Sequence, residues 1–325
     1  MQNIEPKRSR EKKSTHVAVG VIGNDKGEVL IAQRHVHQHQ GGCWEFPGGK
    51  VEFNESVEQA LYRELHEELS IEAMQATPLI TIPFEYPAYH VILDVWRVTA
   101  YNGVPRGCEG QPLAWVSVDQ LDEFSFPEAN RAIISAIRLP SRYLITGSPA
   151  DNPELFMQRL EKALKRGRTL VQLRAKTLSD QAFLSLAERV VARCHYYGAK
   201  LLLNGDPSLM AALPEVDGIQ LSSQRSCGFS ERPIAADKLL GVSCHTLEQL
   251  QHAVKIDADF ALLSPVLQTA THPDAVPLGW QQFAALVEQI PLPVYALGGM
   301  NISLENKAHQ QGGQGIAAIS ALWDV

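Results

Sequence analysis

The sequence predicts an α/β protein of two domains: an N-terminal α/β/α sandwich around a mixed sheet, then a C-terminal (β/α)8 barrel lacking a full eighth helix. Three observations carry this. At 325 residues the chain exceeds one average domain. Its first part places strands before and after one long amphipathic helix, the pattern of a sheet covered by helices. From residue 143 onward, short apolar strands alternate eight times with helical patterns, the order of a barrel with its functional groups at the C-terminal strand ends. The expected boundaries are a disordered basic tail at 1–15, a first domain at 16–138, a linker at 139–142 and the barrel at 143–325.

The opening MQNIEPKRSREKK is polar and basic without an apolar core, so it is not a secretory signal. On a chain of net charge −7 it does not make a nucleic-acid arm. HVAVGVIGNDKGEVLIAQR reads as two strands around the turn Asn24-Asp25-Lys26-Gly27, a hairpin signal. RHVHQHQ places His35, His37 and His39 at alternate positions; falling between a strand and the next motif, it reads as a solvated loop. WEFPGGKVE leads into a helix over 56–69, with Ser56 as its cap and Val57, Ala60, Leu61 and Leu65 on one face. HVILDVWRVTAY alternates as a strand does, LAWVSVDQL is another strand, and PEANRAIISAI closes the domain as a helix.

The helix over 56–69 carries the chemistry. Glu64, Glu67 and Glu68 stand at i, i+3 and i+4, which puts their Cβ atoms about 5–6 Å apart on one face. Three like charges so close call for a divalent cation, and carboxylate oxygens suit Mg²⁺, with Mn²⁺ as the alternative. The competing reading is a solvated acidic face. Gly49, Glu55 and Arg63 ahead of the cluster favour the metal.

With those residues in place, the stretch 49–71 resembles the Nudix box, Gly-x5-Glu-x7-Arg-Glu-apolar-x-Glu-Glu-x-Gly-apolar. It matches at every fixed position except Ser70, which stands where the box has glycine at a helix C-terminus. The resemblance implies hydrolysis of a nucleoside diphosphate linked to another group. AVGVI, Arg34, WEFPGGK, EGQP and PEAN extend the likeness to the MutT type, the 8-oxo-dGTP diphosphatases. That implies a metal shell from the Gly48 carbonyl, Glu64, Glu67, Glu68 and Glu109, with these glutamates catalytic and Gly49, Glu55 and Arg63 structural. Arg34 would meet phosphates or base, Phe46 would line the base pocket, and Asn130 would read the base. The implied reaction is attack of water on the β-phosphorus, a glutamate taking the proton, with release of a monophosphate and pyrophosphate. Asn130 has a physical warrant: N7 of 8-oxoguanine carries a proton where guanine has a lone pair, so a facing amide oxygen gains a bond only with the oxidised base. Leaving that oxygen unpaired would cost about 1–3 kcal/mol. The bland alternative is that Asn130 caps the closing helix.

In the second domain the strands are YLIT, TLVQLRAK, KLLLN, GIQL, LLGVSC, FALLSPV, VYALGG and GIAAIS. Polar residues follow their ends: Gln172, Arg174 and Lys176; Asn204; His245; Thr269 and Thr271; Gly298 and Gly299. Glycines there let backbone N–H groups approach a phosphate. VQLRAK, LLLN, GVSCHT, TATHPDAVPLG and GGMN resemble the thiamine phosphate synthase/TenI superfamily, a TIM-barrel family, along essentially the whole domain. The resemblance implies a pyrimidine pyrophosphate and a thiazole phosphate as ligands, with His245 as an acid/base. Two departures imply loss of the Mg²⁺ carboxylates: Asn204-Gly205-Asp206 replaces Asn-Asp, and the segment from Gln220 to Arg225 carries no carboxylate. His272 replaces a lysine, and the chain ends just past the eighth strand. The expected protein is therefore a nucleotide pyrophosphohydrolase fused to a barrel impaired as a synthase. The alternatives are hydrolysis of a thiamine-pathway pyrophosphate and a barrel that only binds a phosphorylated ligand and regulates.

Five cysteines in no CxxC pair argue against structural zinc and a disulfide framework, as expected of a cytoplasmic protein. No stretch approaches the ~20 apolar residues of a membrane span. Small-molecule nucleotides, not nucleic acid or membrane, are the expected partners.

Overall fold

A computed structural model describes residues 14–37, 40–86, 89–149, 152–269 and 274–323. Residues 1–13 of the tail expected at 1–15, together with His39, Thr271 and His272, lie outside the described residues.

The first domain is built from β1 (Ser14–Ile22), β2 (Glu28–Gln33), β3 (Trp44–Glu45), β4 (Gly48–Lys50), α1 (Val57–Leu69), β5 (Glu72–Glu85), β6 (His90–Asn102), β7 (Leu113–Ser117) and α2 (Arg131–Arg138). Ser14 and Thr15, expected in the tail, begin β1 and register against His90 and Val91 of β6. One sheet runs β4-β1-β6-β5 and a smaller one runs β3-β2-β7. The large sheet is mixed, since β1 is parallel to β6 and antiparallel to β4.

β1 and β2 do not form the expected hairpin ladder. They enter different sheets, joined at the turn by a single bridge, Gly23 to Val29. The turn itself forms, with Asn24 Oδ1 accepting from the Lys26 and Glu28 N–H groups. Local turn chemistry is satisfied while β1 finds a better partner in the long strand β6.

Alternation along β1 makes the sandwich. Ala18 and Ile22 pack with Leu61, Leu65 and Leu69 of α1. Val19 and Val21 point the other way and pack with Ile133 and Ile137 of α2. Each buried aliphatic side chain contributes roughly 1.5–3 kcal/mol. α1 starts in a capping box, Ser56 Oγ accepting from the Gln59 N–H and Gln59 Oε1 from the Ser56 N–H. It ends at Ser70, which adopts the left-handed conformation at φ 55° and ψ 35°.

The second domain continues with β8 (Arg142–Ile145), α3 (Pro153–Lys165), β9 (Leu170–Leu173), α4 (Asp180–Tyr196), β10 (Lys200–Asn204), α5 (Leu209–Ala212), β11 (Gly218–Leu221) and α6 (Ser223–Ser226). β12 (Leu239–Cys244), α7 (Leu247–Lys255), β13 (Phe260–Leu263), α8 (Gly279–Val287), β14 (Val294–Leu297), α9 (Glu305–Gln310), β15 (Gly315–Ala318) and α10 (Ser320–Trp323) complete it. β8 to β15 close a parallel eight-stranded barrel, in which β15 pairs with β8. Arg142, expected in the linker, is the first residue of β8. The eighth helix is the single turn α10, whose Trp323 packs on Phe156 of α3 with ring centroids 4.9 Å apart.

The two domains touch through the N-terminal end of the barrel. Gln314, just before β15, is buried and donates to the Ala136 and Leu139 carbonyls, 3.0 Å each. Tyr295 of β14 donates its hydroxyl to the Pro140 carbonyl. The C-terminal strand ends therefore face away from the first domain.

Candidate functional site

In the first domain the carboxylate helix meets the glycine loop ahead of it. Gly49 is a glycine because a Cβ there would stand 2.1 Å from Cδ of Glu64. Gly48 has φ +147°, and its N–H donates to Glu68 Oε2 at 3.2 Å. Arg63 ties the box together: it donates to Glu55 Oε1 at 2.7 Å, Glu64 Oε1 at 2.8 Å, Glu67 Oε2 at 3.2 Å and the Lys50 carbonyl at 3.0 Å. Donating to Glu55 and Glu64 makes Arg63 hold its proton more tightly than usual, and Arg63 in turn lowers the Glu55 carboxyl.

Burial pushes the Glu68 carboxyl up to about 8, against the Gly48 hydrogen bond, and the charges of Glu45, Glu64 and Glu109 push the same way. Glu109 is delivered by a loop anchored to the end of α1. The Cys108 N–H and Gln111 Nε2 both donate to the Glu68 carbonyl, at 2.9 and 3.1 Å, and Gln111 Oε1 accepts from the Glu109 N–H at 2.9 Å. Sequence reasoning missed Gln111, and EGQP was its signal: a glutamine two residues beyond a loop glutamate can hold both the loop and the helix.

Among the described residues, no three His, Cys, Asp or Glu side chains gather closely enough to hold a metal ion. Of the shell expected from Glu64, Glu67, Glu68 and Glu109, Glu64 and Glu67 accept hydrogen bonds from Arg63. The donor set still fits a hard divalent cation. It is all oxygen, and Glu68 is a half-buried carboxyl beside like charges that a cation would relieve.

Arg34 forms an ion pair with Glu45, the residue ahead of Phe46. Burial raises the Glu45 carboxyl in spite of that arginine. Phe46 is buried and stacks on Phe126, with centroids 5.7 Å apart and planes at 19°. That stack brings the segment carrying Asn130 to the loop carrying Gly48. Asn130 precedes α2, is 8% exposed, and its side chain makes no capping hydrogen bond. Asn130 thus stands at the N-cap position of α2 without its side chain bonding the helix end. His35 and His37 are exposed in a loop, as the solvated reading expects.

In the barrel, Arg174, Lys176, Asn204, His245, Thr269, Gly298 and Gly299 follow the strands at the C-terminal end. Gln172 belongs to the interior instead. Its Nε2 donates to the Tyr143 hydroxyl at 3.2 Å, which donates to Gln220 Oε1 at 3.2 Å. The Arg174 N–H donates to Thr146 Oγ1 at 3.0 Å, and Asn204 Nδ2 to the Gln220 carbonyl at 3.5 Å. His245 does not cap α7; Thr246 does. The His245 ring Nδ1 lies 2.7 Å from the Ser264 carbonyl. Gly298 and Gly299 have φ of +94° and +68°, and a Cβ on either would press within 2.9 Å of the 265–268 loop. Asp206 is occupied by its own turn, accepting from the Ser208 N–H at 3.0 Å and hydroxyl at 2.7 Å.

Comparison with known proteins divides at the linker. Residues 18–136 match the NUDIX domain family and residues 142–322 match the thiamine monophosphate synthase family. The 8-oxo-dGTP diphosphatase of Escherichia coli (strain K12) is 38% identical over 126 residues, 39% of this chain and 98% of that protein. The 8-oxo-dGTP diphosphatase of Haemophilus influenzae is 41% identical over 124 residues, 38% of this chain and 91% of that protein. The thiamine-phosphate synthase of Bacillus mycoides (strain KBAB4) is 31% identical over 201 residues, 60% of this chain and 90% of that protein.

Proposed function

The chain belongs to the Nudix family through its first domain and to the thiamine monophosphate synthase family through its barrel, and from that premise we propose that its principal reaction is Mg²⁺-dependent hydrolysis of 8-oxo-dGTP to 8-oxo-dGMP and pyrophosphate. The observation that carries the reading is the half-buried Glu68 on the Gly48 N–H, beside Glu64 in the cradle that Gly49 leaves open. The Gly48 carbonyl, Glu64, Glu67, Glu68 and Glu109 would hold the ion. When bound, Mg²⁺ or Mn²⁺ neutralises the triphosphate and makes water easier to ionise. Arg63 fixes Glu55 and Glu64, so the cluster is ordered before substrate arrives. One of Glu67, Glu68 and Glu109 takes the proton from the attacking water. Water adds to the β-phosphorus, and the bond to the α-phosphate oxygen breaks.

Asn130, with its amide free of the helix end, presents an oxygen to protonated N7 of the oxidised base, above the stacked Phe46 and Phe126. The test is the ratio of kcat/KM for 8-oxo-dGTP and dGTP in the full chain and in Asn130→Ala. The reading requires the ratio to fall by about 5–150-fold, the worth of one unmatched buried polar group; an unchanged ratio refutes the base-reading role.

The barrel fits a phosphorylated ligand at Arg174, Lys176, Asn204, His245, Gly298 and Gly299, with its synthase reaction impaired. Asp206 is held by Ser208, and no carboxylate stands between Gln220 and Arg225 to replace it. A pyrophosphate leaving group then departs without a neutralised charge. Thiamine phosphate formed from labelled substrates at rates typical of the synthases would overturn this part. A second reading, hydrolysis of a thiamine-pathway pyrophosphate, is favoured by the presence of both domains in one chain, and comparing kcat/KM for such pyrophosphates with that for 8-oxo-dGTP decides it.

A further inference from the structure

Between the domains, on the N-terminal side of the barrel, lies a cleft of about 680 Å³ that neither proposed reaction uses. Arg97 of β6 and Thr77 form one wall, Ser141 lies at the linker, and Asn306, His309 and Gln310 of α9 form the other wall. None of the described side chains lining it is Asp or Glu. The volume falls within the roughly 300–1,000 Å³ of small-molecule sites, many of which lie at domain boundaries.

The charge in and behind this cleft is unbalanced. Arg97 is partly buried with no carboxylate partner among the described residues, and burial alone holds its guanidinium below the ordinary value. His309 lines the same cleft; burial pushes it down, the charge of Glu305 and the Gly313 backbone oppose that, and the charge of Arg97 lowers it further. The carboxylate nearby, Glu305, is already engaged by Arg142 and by the Ser141 hydroxyl, 2.6 Å away. Arg168, just behind Thr169 on the rim, is 5% exposed and donates to the Arg166 carbonyl.

Among the described residues, two buried side-chain atoms of the cleft lining also lack partners. They are Nδ1 of His309 and Oε1 of Gln314, whose residue is 1% exposed while its Nε2 group bridges the domains. Cations kept out of water without counter-charge cost folding free energy unless something supplies that charge. A phosphate would accept from Arg97 and His309, and one protonated phosphate oxygen would donate to an acceptor such as Gln314 Oε1.

We propose that this cleft binds the phosphate end of a small phosphorylated anion, held between Arg97 of the hydrolase domain and His309 of the barrel. Such a ligand touches both domains and neither reaction centre, so it couples their docking. Inorganic pyrophosphate is the simplest member of the class, since both families' reactions release it.

The test is titration of the full chain with inorganic pyrophosphate in EDTA, by calorimetry, in an Arg174→Ala background that weakens binding at the far end of the barrel. A saturable event is expected, at least tenfold weaker in Arg97→Gln and in His309→Ala, and within about threefold of the parent in Arg97→Lys. Adenosine monophosphate in a parallel arm separates a free-pyrophosphate site from a phosphate-ester site, and binding of either that depends on Arg97 supports the cleft. Identical isotherms for parent and Arg97→Gln, or no saturable event with either ligand, would overturn the proposal. Equal melting temperatures of parent and Arg97→Lys without ligand certify that the comparison is between folded proteins.

Discussion

At the residue scale, Glu68 makes the sharpest prediction. Without a cation the folded chain keeps a proton on Glu68, whereas the unfolded chain releases it near the ordinary 4.5, so stability falls as pH rises from about 4.5 to about 8. Mg²⁺ must displace that proton. Its affinity should therefore climb with pH by up to about tenfold per unit below about 8, then level off. Thermal melts in EDTA and in Mg²⁺ at pH 5, 7 and 9 check both trends: the metal-free melting temperature falls across the series while the Mg²⁺ increment grows. Glu68→Gln should flatten both trends and lower hydrolysis by roughly 10²–10³-fold, the loss typical of removing one group that stabilises developing charge. Glu64, Glu67 and Glu68 were legible in the sequence because helical spacing alone puts them together. That Arg63 would hold Glu67 as well as Glu64 was not legible. It depends on where a long, flexible side chain settles, which helical spacing does not fix.

At the element scale, the box helix and its glycine loop were readable from capping residues and periodicity. β5 was not. Pro78 and Pro83 interrupt its sequence, and a run with prolines does not read as a strand, yet β5 forms at the sheet edge, where missing N–H groups cost little. Bulges around Ala73–Ala76 and Pro78–Ile80 further blur its alternation. Two substitutions test the element. Ser70→Gly relieves a left-handed backbone at φ 55° and should stabilise by about 1 kcal/mol, raising the melting temperature by a few degrees, less what is lost with the Arg106 bond to Ser70 Oγ. Gly49→Ala, in contrast, drives a methyl into the Glu64 carboxylate. Hydrolysis and Mg²⁺ affinity should fall together, as calorimetry and phosphate release would record.

At the scale of the molecule, the parallel barrel was predictable from eight apolar strands. Its docking was not, because Gln314 looks like any polar residue ahead of a strand until Ala136 and Leu139 offer it their carbonyls. Gln314→Leu leaves both carbonyls without that donor and should destabilise the chain by about 1–3 kcal/mol, read as a lower melting temperature with unchanged hydrolysis in the cold. The docking also sets the two sets of candidate residues apart. The hydrolase domain covers the N-terminal end of the barrel, and the residues that resemble a phosphate site open at the opposite end. Substrate is thus not handed directly from one to the other, and the chemistry of each domain stands on its own residues. The carboxylate helix carries an intact set of oxygen donors, whereas Asp206 of the barrel is held by Ser208. The account's central claim is that the first domain hydrolyses an oxidised purine nucleotide through that helix. The most direct measurement is the steady-state kcat/KM of the full chain with Mg²⁺ for 8-oxo-dGTP, dGTP and thiamine-pathway pyrophosphates, alongside Glu67→Gln. The account predicts a clear preference for 8-oxo-dGTP, pyrophosphate as product and a loss of at least a hundredfold in the variant; equal rates for 8-oxo-dGTP and dGTP, or activity that survives Glu67→Gln, would contradict it.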